Sequence, residues 1–108
     1  MEKLYNRFDG IITEYTHLKD NYYVSKNSGI VIDLDRVSFS GKTSKNIIDL
    51  IEVGDIVNGK LIHKIDKGSN YCYLYYGNCK TFVDYQIKTI LTKEQFEANC
   101  YKVGGEDE

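Results

Sequence analysis

Two histidines, three cysteines and an i, i+2 pair of aspartates are the side chains of this 108-residue sequence best equipped for chemistry. Cys72 and Cys79 stand too far apart in sequence for the C-x2-4-C spacing of a zinc knuckle. They flank a hairpin turn expected at Gly77-Asn78, which would bring the thiols close, and His63 would complete a three-ligand metal set. Against that stands the plainer expectation of small core thiols. Asp33 and Asp35 would project from one face of a strand, where they can share a cation. The neighbouring Arg36 offers an ordinary salt-bridge partner instead. His17 and His63 fall in separate expected strands, in no nucleophile, zinc or phosphate motif, and no G-x-x-x-x-G-K-[ST] occurs. The chain therefore reads as non-enzymatic, with no metal and no cofactor.

The tyrosines make a better case for binding. If Leu74 faces a core with Cys72 and Tyr76, strand alternation puts Tyr71, Tyr73 and Tyr75 on the opposite face. Rigid rings supply large contact area at low entropy cost, with a hydroxyl besides. Such a ladder can anchor a protein partner, with Asp66 and Asp84 meeting basic groups on it. It can also stack single-stranded bases, as OB-type sheets do. Lys60, Lys64, Lys67 and Lys80 add positive charge nearby, which Asp66 and Asp84 dilute. A third reading has the rings covering the second face of a thin sandwich. Tyrosine richness alone decides little: Lys, Asn, Ile and Tyr share A/T-rich codons, and Lys outnumbers Arg by 12 to 2.

Strands must position these residues. Asp9-Gly10 turns the chain into Ile11–His17, Lys19-Asp20-Asn21 into Tyr22–Val24, and Asn27-Ser28-Gly29 into a strand ending at Leu34. With a short strand over Arg36–Phe39, closed by Ser40-Gly41, this half reads as an antiparallel meander. Ile47, Ile48, Leu50 and Ile51 fit a helical turn or a buried strand. After Val53-Gly54-Asp55, Asn58-Gly59 is either a type I′ turn or a bulge. The bulge is favoured, because three residues upstream are too few for a full hairpin arm, and a strand over Lys60–Asp66 follows. Lys67–Asn70 turns into Tyr71–Tyr76, a two-residue II′ turn follows at Gly77-Asn78, and Cys79–Tyr85 returns. Ile87–Leu91 is one more strand. Thr92 and Gln95 form a capping box for a helix over 93–99 with Phe96 facing inward. Cys100–Val103 is expected as a final edge strand.

The fold class is accordingly mainly β: a small antiparallel barrel or sandwich, SH3-like or OB-like, with one short C-terminal helix. A single domain over 1–103 and a disordered acidic tail over 104–108 fit a length typical of one domain, about 100–150 residues. A formal charge of −2 excludes a basic nucleic-acid sponge and an acidic mimic of a phosphate backbone. No apolar run reaches the ~18–20 residues that span a bilayer, and Met1-Glu2-Lys3 opens no secretory signal. An odd cysteine count then points to free thiols in a reducing, cytoplasmic compartment. The oligomeric state is open.

The stretches Ile47-Ile48-Asp49-Leu50-Ile51-Glu52-Val53-Gly54-Asp55-Ile56-Val57-Asn58-Gly59 and Ile87-Lys88-Thr89-Ile90-Leu91-Thr92-Lys93-Glu94-Gln95-Phe96-Glu97, about a quarter of the chain, carry a resemblance. They resemble small phage and prophage proteins of low-GC Gram-positive bacteria, and the A/T-rich composition agrees with that source. Val53–Leu61 also resembles the first strand of S1-type OB barrels. The phage resemblance implies a non-enzymatic accessory factor in the host cytoplasm that inhibits a host defence protein. The specific expectation is an anti-CRISPR protein that binds a Cas effector and blocks nucleic-acid engagement or activation. A small module binding single-stranded nucleic acid is the alternative.

Overall fold

The segment from Lys3 to Phe8 pairs with the strand after it. In the computed structural model, which describes residues 2–100, β1 (Lys3–Phe8) and β2 (Ile11–Lys19) form a hairpin over Asp9-Gly10. Both turn residues have positive φ, +52° and +76°, as a type I′ turn requires. Gly10 is needed for a second reason. A Cβ there would meet the Glu94 Cβ at 2.4 Å.

The meander continues through β3 (Tyr22–Ser25) and β4 (Val31–Asp33), as expected. The strand expected over Arg36–Phe39 does not form. Asp33 holds that chain in a turn instead: its side chain accepts from the Asp35 N–H, and its carbonyl accepts from Arg36 and Val37. The segment then crosses the sheet, with Phe39 against Tyr15 (ring centroids 5.5 Å apart) and Ser40 O accepting from the Asn6 amide. It ends in β5 (Lys42–Ser44), which pairs with the free edge of β1, giving the order β4-β3-β2-β1-β5.

The middle segment resolves as a 3-10 turn, Ile47–Leu50, the helical one of its two alternatives. β6 (Ile56–Val57) and β7 (Lys60–Leu61) then form a two-residue hairpin, so Asn58-Gly59 is a type I′ turn and not a bulge. Arms this short hold because the Asn58 side chain fastens the turn. It donates to Gln86 O at 2.8 Å and accepts from the N–H groups of Lys88 and Thr89. The strand expected over Lys60–Asp66 is broken at Ile62-His63. There the chain changes sheets: Ile62 bonds to Asp55 and Gly54, His63 already to Tyr75.

β8 (Lys64–Lys67), β9 (Cys72–Tyr76) and β10 (Lys80–Phe82) make the three adjacent antiparallel strands that the sequence predicts. The β9–β10 loop has three residues, not two, because Tyr76 pairs with Lys80 and Cys79 takes a left-handed φ of +63°. β10 stops short of Tyr85: Asp84–Gln86 is a 3-10 turn, closed by the Gln86 carboxamide accepting from Val83 N–H. β11 keeps only Ile90–Leu91 of its expected length and pairs with β6.

The capping box at Thr92 is present, with Gln95 N–H to Thr92 Oγ1 at 3.2 Å, and it starts α1 (Lys93–Asn99). Phe96 does not face inward; it is about half exposed. No residue of this two-turn helix is buried; Gln95 is half-buried and the half-exposed Glu94 turns toward Arg7. The edge strand expected over 100–103 lies, beyond Cys100, outside the described residues, as does the tail at 104–108.

The protein is thus mainly β; among the described residues there are three antiparallel sheets, none closed on itself, and one short α-helix. The buried apolar cluster is Ile48, Ile51, Val57, Ile62 and Leu74, ringed by Ile65, Cys72, Tyr76, Phe82, Ile87 and Ile90. All of these follow β5 in the chain. The five-stranded sheet leaves Phe8, Ile11, Leu18, Ile30 and Val31 exposed and is fastened to the core by polar groups. No helix among the described residues is long and apolar enough to cross a membrane.

Candidate partner-binding face

Register settles which side chains share a face. Asp66 pairs with Tyr73 and Lys64 with Tyr75, so these four lie on the outer face of the β8–β9–β10 sheet, opposite the buried Leu74. Tyr71, just before β9, stacks on Tyr73 with ring centroids 5.4 Å apart and planes at 29°. The Lys64 ammonium sits 5.3 Å from the Tyr75 ring centre, in cation–π range. Tyr71 is 48% and Tyr73 38% exposed, so the rings are open to a partner rather than sealed under a second layer.

Asp84 joins this face from the 3-10 turn. With Tyr71 and Tyr73 it lines a groove of ≈520 Å³ that Asn46, Asp49 and Lys67 also line. The Asp49 carboxyl is held below its ordinary range, first by the Ser44 hydroxyl donating at 2.7 Å and then by Lys67 at 3.1 Å. Asp84 forms no ion pair among the described residues; its Oδ1 accepts from Tyr85 N–H at 2.7 Å. A cation can therefore dock on Asp84 without displacing an internal partner. Asn46, Asp49 and Asn70, to which the sequence analysis assigns no binding role, also line this groove.

Gly68 makes the Tyr71 position possible. A Cβ on Gly68 would sit 2.1 Å from the Tyr71 ring, which is exposed and free to swing away. Gly68→Ala is therefore expected to leave stability within about 1 kcal/mol of wild type while unstacking Tyr71 from Tyr73. Comparing tyrosine fluorescence and urea midpoints checks both halves; loss of the fold would contradict it.

The candidate metal set is not assembled. His63 Nε2 lies 3.0 Å from Gly77 O, Cys79 is exposed in the turn, and Cys72 faces the core, where burial pushes its thiol pKa up. No three His, Cys, Asp or Glu side chains stand together for a metal among the described residues. Asp33 and Asp35 are likewise taken up locally. Asp33 pairs with Arg36 at 3.7 Å and Asp35 accepts from Asn21 at 2.8 Å.

The strongest electrostatic feature went unread in the sequence. Arg7, 5% exposed, makes a two-pronged bond to the fully buried Asp55, and also reaches Leu50 O at 2.9 Å and Glu94 at 2.7 Å. Asp55 accepts in addition from the backbone N–H groups of Glu52 and Lys93. Burial alone would raise the Asp55 pKa. The guanidinium and the two N–H groups more than offset that and hold it below the ordinary value. Burial likewise opposes the charge of Arg7, and its carboxylate partners outweigh it. Every oxygen of the pair is engaged, so this is a fastening and not a reactive centre. The only sequence signal for it is an arginine amid a short β1, which reads as a solvated strand position.

The arrangement as a whole offers a contact face of aromatic rings flanked by carboxylates. No protein-family model, no curated protein and no solved structure matches the chain.

Proposed function

We propose that the chain is a non-enzymatic, phage-encoded inhibitor that binds a protein of the host's defence in the host cytoplasm. The specific proposal is an anti-CRISPR protein that occupies a Cas effector surface needed for nucleic acid or for activation. The observation that supports binding is the exposed Tyr71–Tyr73 stack beside Tyr75, with Asp66 and Asp84 at its margin. The class of partner comes from the resemblance of the 47–59 and 87–97 segments to phage proteins. Rigid aromatics anchor interfaces, and acidic margins steer toward basic, nucleic-acid-binding surfaces.

Tyr73→Ala is expected to weaken partner binding by roughly 30-fold, about 2 kcal/mol, with little change in melting temperature. The measurement is a pull-down from a nuclease-treated lysate of a CRISPR-bearing Gram-positive bacterium, followed by titration of the captured protein. Equal affinity of the variant would remove the tyrosine face from the interface. Failure to enrich a Cas effector or another defence protein would remove the inhibitor reading.

One observation favours a second reading. The Lys64 ammonium over the Tyr75 ring places a cation and an aromatic where single-stranded nucleic acid could stack. That reading goes with an SH3-like or OB-like barrel as the finer fold class. Salt separates the two, since phosphate contacts weaken steeply as salt rises and an aromatic protein interface does not.

A further inference from the structure

We propose that a recess on the inner side of β9, behind the tyrosine face, binds a free mononucleotide through its phosphate and base. The recess has a volume of ≈420 Å³, within the ~300–1,000 Å³ range of small-molecule sites. Three kinds of group converge there.

The first is charge. Lys60 and Lys80 line the recess together with His63, and no carboxylate does. Lys3, Lys26, Lys45, Lys67 and Lys93 are each paired with a carboxylate, but Lys60 and Lys80 form no ion pair among the described residues. The His63 ring is held at the rim by its Nε2 contact to Gly77 O at 3.0 Å.

The second is the turn that closes the recess. Gly77 and Cys79 have φ of +56° and +63° on either side of Asn78, the alternation that turns successive N–H groups toward one point. The N–H groups of Gly77 and Asn78 donate to no loop or side-chain acceptor among the described residues. An anion satisfies them.

The third is an apolar wall. Leu61 lines the recess although it is 59% exposed, an aliphatic side chain with no core to fill. Beside it the Tyr76 ring is backed by Phe82 at 4.2 Å, so the platform cannot tilt away. Cations and free N–H groups beside an aliphatic and aromatic wall suit a phosphate joined to a planar base. Because Tyr76 points to the opposite side of β9 from Tyr73 and Tyr75, this site does not rest on the proposed inhibitor function.

The test is a titration of the 15N-labelled full chain with AMP, adenosine and inorganic phosphate, followed by amide shifts. Saturable shifts at Gly77 and Asn78 with AMP are expected, with adenosine and phosphate each at least about tenfold weaker. K60A/K80A should weaken AMP binding at least about tenfold and leave the remaining spectrum unchanged, because both side chains are exposed. Absence of saturation at millimolar AMP, or equal binding by the double variant, would overturn the site. Phosphate or adenosine binding as well as AMP would overturn the nucleotide assignment. A response to an oligonucleotide but not to AMP would also overturn it, in favour of strand binding.

Discussion

Asp55→Ala is expected to lose about 3–5 kcal/mol of stability, much of the ~5–15 kcal/mol that a domain of this size has. The carboxylate is fully buried, and four donors converge on it: two guanidinium nitrogens of Arg7 and the N–H groups of Glu52 and Lys93. Truncation leaves a buried cation short of its main partner and strands two backbone donors. Replacing a buried ion pair by apolar residues of similar size is often harmless. Here it should not be, because Arg7→Met with Asp55→Leu still orphans both N–H groups and the Leu50 carbonyl. Urea titrations of the single and double variants are the check, and a loss under about 1 kcal/mol in either would refute the fastening role.

The same group sets an acid limit. Its folded-state pKa is depressed, so its contribution is complete above the ordinary aspartate value of 3.8 and is lost as pH falls through the folded value. Wild type should therefore lose stability below about pH 4. Asp55→Ala, measured at a temperature where it is still folded, should show a flatter profile there.

Leu74→Ala is the second large effect, at roughly 3–5 kcal/mol. Leu74 is fully buried among Ile48, Ile51, Val57 and Ile62, and these five are the buried members of the central apolar cluster among the described residues. A core this small has few side chains that can move in to fill a void, which places the cost near the upper end for a leucine truncation. Leu74→Met, nearly equal in volume, should cost under about 1.5 kcal/mol. If the two variants unfold at the same urea concentration, cavity formation is not the cause.

The contrast between these two residues shows what was legible in the sequence. Strand alternation groups Leu74 with Cys72 and Tyr76 on one face and Tyr71, Tyr73 and Tyr75 on the other. Which face is buried is fixed only by the packing of Leu74 against Ile48, Ile51, Val57 and Ile62. Thr92 and Gln95 likewise announced the helix start by local chemistry. Arg7 and Asp55 lie 48 residues apart and have no local signature. Each reads as a solvated charge until the fold brings them together. Asn58 was misjudged for a related reason. Its side chain stabilises a hairpin too short to stand alone, by bonds to residues 86–89. Asp84 reads as a strand residue because the competing bond, from Val83 N–H to the Gln86 side chain, is invisible to periodicity.

The fastening between the five-stranded sheet and the rest of the protein also has a kinetic meaning. The β1–β2 and β8–β9–β10 pairings close short loops, which cost little chain entropy. The Arg7–Asp55 and Gly10–Thr92 bonds join residues 48 and 82 positions apart and reward the chain only after both halves exist. Loop-closure cost therefore predicts that hairpins and core assemble first and the sheet docks last, in which case a defect in the fastening acts mainly by speeding its release. A chain caught before that step would carry its aromatic face already formed, with the β1–β2 hairpin still undocked.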